Sequence, residues 1–330
     1  MRRASHLTRR GWLAALAGGI AAARDRRLEE EWRRIASATD GTVGAAALHL
    51  SSGRILRLHG EERFPLQSVC KLPIAMHILG LVDEGKLALD QEIEVLPRDV
   101  VSGVSDIAPR WPAQRRFRLG EMVELMVAKS DNTAVETLFR TGGGAPAMRA
   151  RFREWKVEGV RVDRGERQCG LDRNGITGYP PPDQWTDALI QELYRKTPVE
   201  VRYRSTLRSL SDPRDTGTPD GTVQLLARLF RGEALSKAST SRLIETLKAT
   251  TTFPGRLKGL LPAGTVVAHK TGSSGVIQGL AAATNDSGVI FLPDGGQLAV
   301  SVYVKASTRS DDERDGVIAR IARTAFDYMW

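Results

Sequence analysis

The chain has 330 residues, 41% hydrophobic and 26% charged, with six tryptophans; it has no low-complexity tract, which excludes a disordered chain and leaves apolar material for a large core. Its formal charge of +9 includes Arg2, Arg3, Arg9 and Arg10 of an amino-terminal leader, and without those four it falls to +5. The other Lys and Arg are scattered without interleaved aromatics, which argues for a solvated basic surface and against a nucleic-acid partner.

The leader, residues 1–23, carries Thr8-Arg9-Arg10-Gly11-Trp12-Leu13 and a 13-residue apolar run from Gly11 to Ala23 with small residues at its end. It is similar to a twin-arginine export signal, and it is shorter than the roughly 20 residues of a membrane helix. A periplasmic mature protein without a membrane anchor is expected. Leu28, Trp32 and Ile35 then predict a helix over about 25–38. Strand-like Thr42 to Leu50 and Arg54 to Leu58 flank the hairpin signal Ser51-Ser52-Gly53.

Helical spacing recurs over 68–81, 119–128, 132–139, 145–155, 183–195, 222–230 and 235–250. Strand candidates return at 265–270, 277–284, 289–292 and 297–304, with Pro293-Asp294-Gly295-Gly296 turning between the last two, and 313–328 closes as a helix. This order predicts an α/β (α+β) fold in which one antiparallel sheet, built from the amino- and carboxy-terminal segments, is flanked by helices and sits beside an all-α lobe. The sheet lobe is expected over 24–63 and 258–330 and the helical lobe over 64–257, with a site at their seam. No internal repeat is present.

Three short motifs stand along this frame: Ser68-Val69-Cys70-Lys71, Ser130-Asp131-Asn132 and Lys270-Thr271-Gly272. The first pattern, S-x-x-K, arises by chance about once in a chain this long, whereas the other two are expected roughly 0.1 times or less, so the ordered set is specific where its members are not. A serine hydroxyl needs an adjacent base and a site for the developing oxyanion. Ser68 and Lys71 at i and i+3 share a helix face, and Pro73 is tolerable only if that helix has just begun, which puts Ser68 at its positive end. Alone, each motif has a plain alternative: a capping Ser with a surface Lys, an N-cap, a polar strand end.

In this order the motifs resemble those of class A β-lactamases, active-site serine enzymes, and the resemblance covers nearly the whole chain from Leu28 onward. Pro65-Leu66-Gln67-Ser68-Val69 and the run from His269 to Gly275 look like the extended-spectrum branch. The resemblance implies the β-lactamase/transpeptidase-like fold and a β-lactam as the small-molecule substrate. It makes Ser68 the nucleophile, Lys71 or Glu166 the base for acylation, and Ser130 the proton relay to the leaving nitrogen. Asn132 would hold the substrate side-chain amide, Lys270 and Thr271 its carboxylate, and the backbone amides of Ser68 and Ser273 the oxyanion. Glu166, within Val162-Asp163-Arg164-Gly165-Glu166, would activate the deacylating water.

Two departures from the family stand out. The residue beside that water is commonly Asn, yet here it is Gly170, so backbone or another side chain must hold the water. The omega loop, about 163–219, is enlarged: Asp215, the partner the resemblance gives Arg164, lies 49 positions beyond Glu166, with Arg214 and Asp163 as competitors. Structureless loops rarely exceed about 12 to 15 residues, so the insert is expected to fold on itself, with 183–195 as a helix. Arg256 stands where some members keep a carboxylate-binding arginine, and an exposed loop arginine is the alternative.

Cys70 and Cys169 fit neither a zinc site nor a redox pair, and a disulfide and two buried thiols both stay open. His77 reads as packing, and no cofactor or metal is expected because no H-E-x-x-H or zinc-ligand cluster occurs. A monomeric hydrolase acting through an acyl-enzyme is the reading. Its alternatives are a penicillin-binding D-Ala-D-Ala peptidase and a covalent β-lactam sensor that is acylated and not released.

Overall fold

A computed structural model describes residues 24–330, and the leader expected over 1–23 lies outside them. Helix α1 covers 24–36 and turns Leu28, Trp32 and Ile35 into the core. The Trp32 indole donates to Thr324 Oγ1 at 2.9 Å, which ties the first helix to the last. Strands β1 (Thr42–His49) and β2 (Ile55–Leu58) form the expected hairpin.

After β3 (Phe64–Pro65), a 3-10 turn over Gln67–Cys70 runs straight into α2 (Lys71–Asp83). Pro73 sits in the first turn of α2, where a missing N–H has no helical partner to lose. A small ribbon that the sequence pattern did not reveal, β4 (Glu92–Glu94) with β5 (Arg116–Arg118), leads into α3 (Leu119–Ala128), α4 (Asn132–Thr141) and α5 (Gly144–Trp155). The enlarged loop holds α6 (Glu166–Arg173), α7 (Asp187–Lys196), α8 (Val199–Ser209) and β6 (Thr216–Gly217), and α9 (Pro219–Phe230) and α10 (Lys237–Lys248) follow. β7 (Val267–Ser273), β8 (Val276–Ile277), β9 (Leu280–Phe291), β10 (Gln297–Ser307) and α11 (Asp311–Met329) complete the chain.

The main sheet is antiparallel in the order β2-β1-β10-β9-β7, with β8 on β9, so the first strands pair with the last, as expected. Both faces are covered. Ala45, Ala47, Val300 and Val302 face α1 and α11 in one cluster, while Ala46, Leu48, Ala299 and Tyr303 face the helical side in another. The period-2 alternation of β1 is therefore real, but both of its sides are apolar because both are buried.

Two expectations need correction. Segments 277–284 and 289–292 are not separate strands, because β9 runs unbroken through Asn285-Asp286-Ser287-Gly288. Those residues look like a turn, yet each polar one finds a partner inside the fold: Asn285 donates to Pro65 O, Asp286 faces His269, and Ser287 shares a hydrogen bond with Ser301. The helix expected over 183–195 starts later, since Pro182–Gln184 is a 3-10 turn and the Thr186 side chain caps α7 by accepting from Leu189 N.

The insert does fold on itself. Leu171, Ile176, Trp185 and Ile190 are buried together, with Tyr179, Leu193 and Tyr194 packed around them. Its far end is fastened to the segment that leads into α2, where Phe64 pairs with Gly217 and Pro65 with Thr216. Among the described residues no helix is long and apolar enough to cross a membrane.

Candidate active site

Ser68 lies in the 3-10 turn that opens α2, next to Gln67, whose φ of 50° is left-handed. Strained backbone of this kind persists only where the surroundings over-determine it. Here Asn285 Nδ2 donates to Pro65 O (2.8 Å) and Leu66 O (3.1 Å), and Leu66 N donates to Asp215 O (2.9 Å). Strand β7 presses against the same turn: a Cβ at Gly272 would lie 2.7 Å from Leu66 O and 3.1 Å from Ser68 N. Only glycine lets the Lys270-Thr271-Gly272 strand come this close.

Lys71 and Lys270 are both 0% exposed. Lys71 Nζ donates to Ser130 O (2.6 Å), Ser130 Oγ (3.1 Å) and Asn132 Oδ1 (2.6 Å). Lys270 Nζ donates to the same Ser130 Oγ (3.1 Å) and to Thr271 O (3.0 Å). The three motifs therefore converge on one hydroxyl. Burial pushes Lys71 below the usual lysine value, opposed by the charge of Glu166. Burial, then the charge of Lys71, holds Lys270 well below that value. Two ammonium groups sharing one acceptor out of water cost more than one, so this geometry favours a neutral amine.

Ser130 itself has φ 62°, and its neighbour Asp131 is the N-cap of α4. The Asp131 carboxylate accepts from Ala134 N, Ser105 Oγ, Asp106 N and Ile107 N. The capping role thus falls to the middle residue of this motif, while the side chains of the outer two face Lys71.

Arg256 is not the exposed loop arginine of the alternative reading. It is 2% exposed. Its Nε donates to Asp315 Oδ1 (2.7 Å), Nη1 to Gly272 O and Asn285 O (3.0 Å each), and Nη2 to Ser273 Oγ (2.7 Å). It meets the site through Ser273. Thr271 Oγ1 shares a 2.6 Å hydrogen bond with Thr252 Oγ1.

Glu166 begins α6 and lines a cavity of about 250 Å³ together with Cys70, Ile74, Val135 and Cys169. Arg164 closes the loop as expected: its Nε reaches Asp215 Oδ2 (2.5 Å) and its Nη1 reaches Asp172 Oδ2 (2.7 Å). Asp215 Oδ1 also accepts from the backbone N–H of Asp163 (2.7 Å) and Arg164 (3.0 Å). The competitors pair elsewhere, Arg214 with Asp212 and Asp163 with Arg161.

A model of the β-lactamase enzyme family matches residues 27–329. The extended-spectrum β-lactamase PER-1 of Pseudomonas aeruginosa is 32% identical over 91% of this chain and 87% of its own length. A β-lactamase from Chitinophaga pinensis superposes with a TM-score of 0.76 at 33% identity, covering 92% of this chain and 100% of that one. An ancestral class A β-lactamase does so with a TM-score of 0.73 at 31% identity, covering 91% and 99%. The chain belongs to the class A β-lactamase family.

Within this β-lactamase, sequence reasoning missed two polar groups beside the loop. Glu136 on α4 accepts a hydrogen bond from Arg167 N (3.2 Å), and burial pushes its carboxyl up to about 7. Tyr194 of α7 puts its hydroxyl beside Gly170, where a Cβ would lie 2.5 Å from that oxygen. The only signal for either was that Gly170 left a place to fill. Cys70 and Cys169 both line the cavity and are free thiols, with burial pushing Cys169 up to about 12. His77 bonds to Gly142 O and Arg151, a packing role, and His269 faces Asp286 inside the sheet. Among the described residues no group of three His, Cys, Asp or Glu side chains is placed to hold a metal.

Proposed function

We propose that Ser68 is acylated by the β-lactam and that Glu166 drives hydrolysis of the resulting ester. Lys270 and Thr271 meet the substrate carboxylate, Asn132 the acyl amide, and the backbone N–H groups of Ser68 and Ser273 the carbonyl oxygen. Ser68 Oγ adds to the carbonyl carbon as its proton leaves to neutral Lys71. The C–N bond then breaks as Ser130 passes a proton to the ring nitrogen, drawing on the two amines at its hydroxyl. Water, having given a proton to Glu166, adds to the acyl carbon, and Ser68 leaves with a proton restored. Arg256 serves by orienting Ser273.

The observation that supports this reading above the others is Ser130 Oγ accepting from both Lys71 Nζ and Lys270 Nζ at 3.1 Å, with both lysines buried. A hydroxyl between two amines can lose a proton to the substrate and regain one without solvent. The leader supports export to the periplasm. Mixing purified mature protein with a penicillin, and following intact mass alongside ring opening over many equivalents, tests the reading. Turnover with a transient adduct is expected, as is a persistent adduct in Glu166→Gln. Normal turnover by Glu166→Gln overturns the role of Glu166, and a stable adduct on the native protein points instead to a sensor or penicillin-binding protein.

A further inference from the structure

We propose that Tyr194, on a helix that the enlarged loop adds, holds the deacylating water in place of the side chain that position 170 lacks. The proposal rests on the reading of Glu166 as the residue that activates this water.

Glu166 and Gly170 are four residues apart on α6 and so lie on one face of it. A Cβ on a helix leans toward the amino terminus, so the space in front of Gly170 adjoins Glu166. That space holds the Tyr194 hydroxyl, 2.5 Å from where the Cβ would be, with the ring carbon that bears it at 3.8 Å. Any other side chain at 170 would collide with this oxygen. Glycine inside a helix is costly relative to alanine. Here that cost admits a phenol.

The hydroxyl is also uncommitted. Tyr179 bonds to Gln168, Tyr303 to Thr222 and Tyr328 to Asp25, whereas among the described residues the Tyr194 hydroxyl has no protein hydrogen-bond partner, and charge on Glu166 is among the influences it feels. Burial raises the phenol above its usual value, so it stays protonated at neutral pH, able to donate one hydrogen bond and accept another. Its position is not left to chance. Ile190 and Leu193, on the same helix, pack with Leu171 of α6 and with Trp185, which fixes α7 against the Glu166 helix.

In the deacylation step, water oxygen bonds to the ester carbonyl carbon while one water proton passes to Glu166. The bond from that carbon to Ser68 Oγ then breaks, and Oγ takes a proton. Tyr194 neither gains nor loses a proton. It contributes one hydrogen bond that fixes the water in line with the carbonyl, which makes it a positioning residue.

Tyr194→Phe keeps the ring and removes only the oxygen. Pre-steady-state mixing with a chromogenic β-lactam should give an unchanged acylation rate and a deacylation rate lower by about ten- to hundredfold. With deacylation limiting, kcat and KM fall together and kcat/KM stays at the native value. A disturbed fold would lower kcat/KM as well, and that result, or unchanged deacylation, overturns the proposal. A swap checks the geometry: Gly170→Asn alone should impair the enzyme by colliding with Tyr194, while Gly170→Asn combined with Tyr194→Ala should deacylate faster than Tyr194→Ala alone. Failure of that rescue also overturns it. Glu166→Gln run in parallel separates the two readings, because stalled Glu166→Gln with normal Tyr194→Phe removes Tyr194 only, and normal Glu166→Gln removes both.

Discussion

Glu136→Gln is expected to stabilise the enzyme at alkaline pH and to leave it unchanged in acid. Glu136 faces the start of the catalytic loop so closely that a Cβ at Gly165 would lie 2.7 Å and 2.8 Å from its carboxylate oxygens. Burial dominates its environment and pushes the carboxyl from 4.5 to about 7, with the nearby Glu166 charge adding to the rise and the Arg167 N–H opposing it. The folded protein therefore holds this proton more tightly than the unfolded chain. The stability it contributes is fully present below about 4.5 and is withdrawn as pH rises through about 7. At about 1.4 kcal/mol per pH unit, the loss relative to strong acid is about 1 kcal/mol at pH 5 and about 3 kcal/mol at pH 8. These are ceilings, because Glu136 keeps some contact with solvent.

Glutamine matches the protonated acid in shape and still accepts from Arg167 N, so its stability lacks this component. Urea unfolding of both proteins at pH 5 and pH 8 isolates the effect, since every other titrating group cancels in the difference. The advantage of the variant should grow by up to about 2 kcal/mol between the two pH values. A difference that stays constant with pH would refute the argument that Glu136 is held protonated by burial.

Arg164→Ala should cost about 3 kcal/mol, because it strands the buried Asp215 carboxylate beside Asp172 and Asp212, and limited proteolysis should then cut within 163–219; resistance equal to the native protein would sink the clasp. Ile190→Ala should open the insert core by about 2 to 4 kcal/mol, read as faster hydrogen exchange over 176–209 with the sheet amides unaffected. Gly272→Ala should slow acylation by about a hundredfold or more, since the added methyl drives β7 off the Ser68 turn; a change under about threefold would contradict the close approach. Acylation by Glu166→Gln should fall about tenfold per pH unit below the Lys71 value, which burial sets under the ordinary lysine range, because protonated Lys71 cannot take the Ser68 proton. A flat acid limb would remove Lys71 as the base.

The sequence by itself determined the family, the antiparallel sheet of terminal strands around inserted helices, and the place of most of those helices. Rare motifs at set spacings specify chemistry that tolerates few other residues, and period-3.6 and period-2 patterns survive wherever one side of an element is buried. Helix boundaries at 119–128 and 145–155 were legible for that reason. Tertiary structure decided what depends on distant partners. Asn285-Asp286-Ser287-Gly288 stays in a strand only because Pro65, His269 and Ser301 satisfy its polar groups. Arg256 is inside rather than outside because Asp315, Ser273 and two carbonyls use its donors. Within the insert, α8 escaped notice because its many arginines and single polar turns blur the apolar stripe, and its neighbours supply the burial instead. The contact of Tyr194 with Gly170 spans 24 positions and depends on how α7 folds back on α6. No local pattern encodes such a meeting, since it is set by the core that the insert builds for itself.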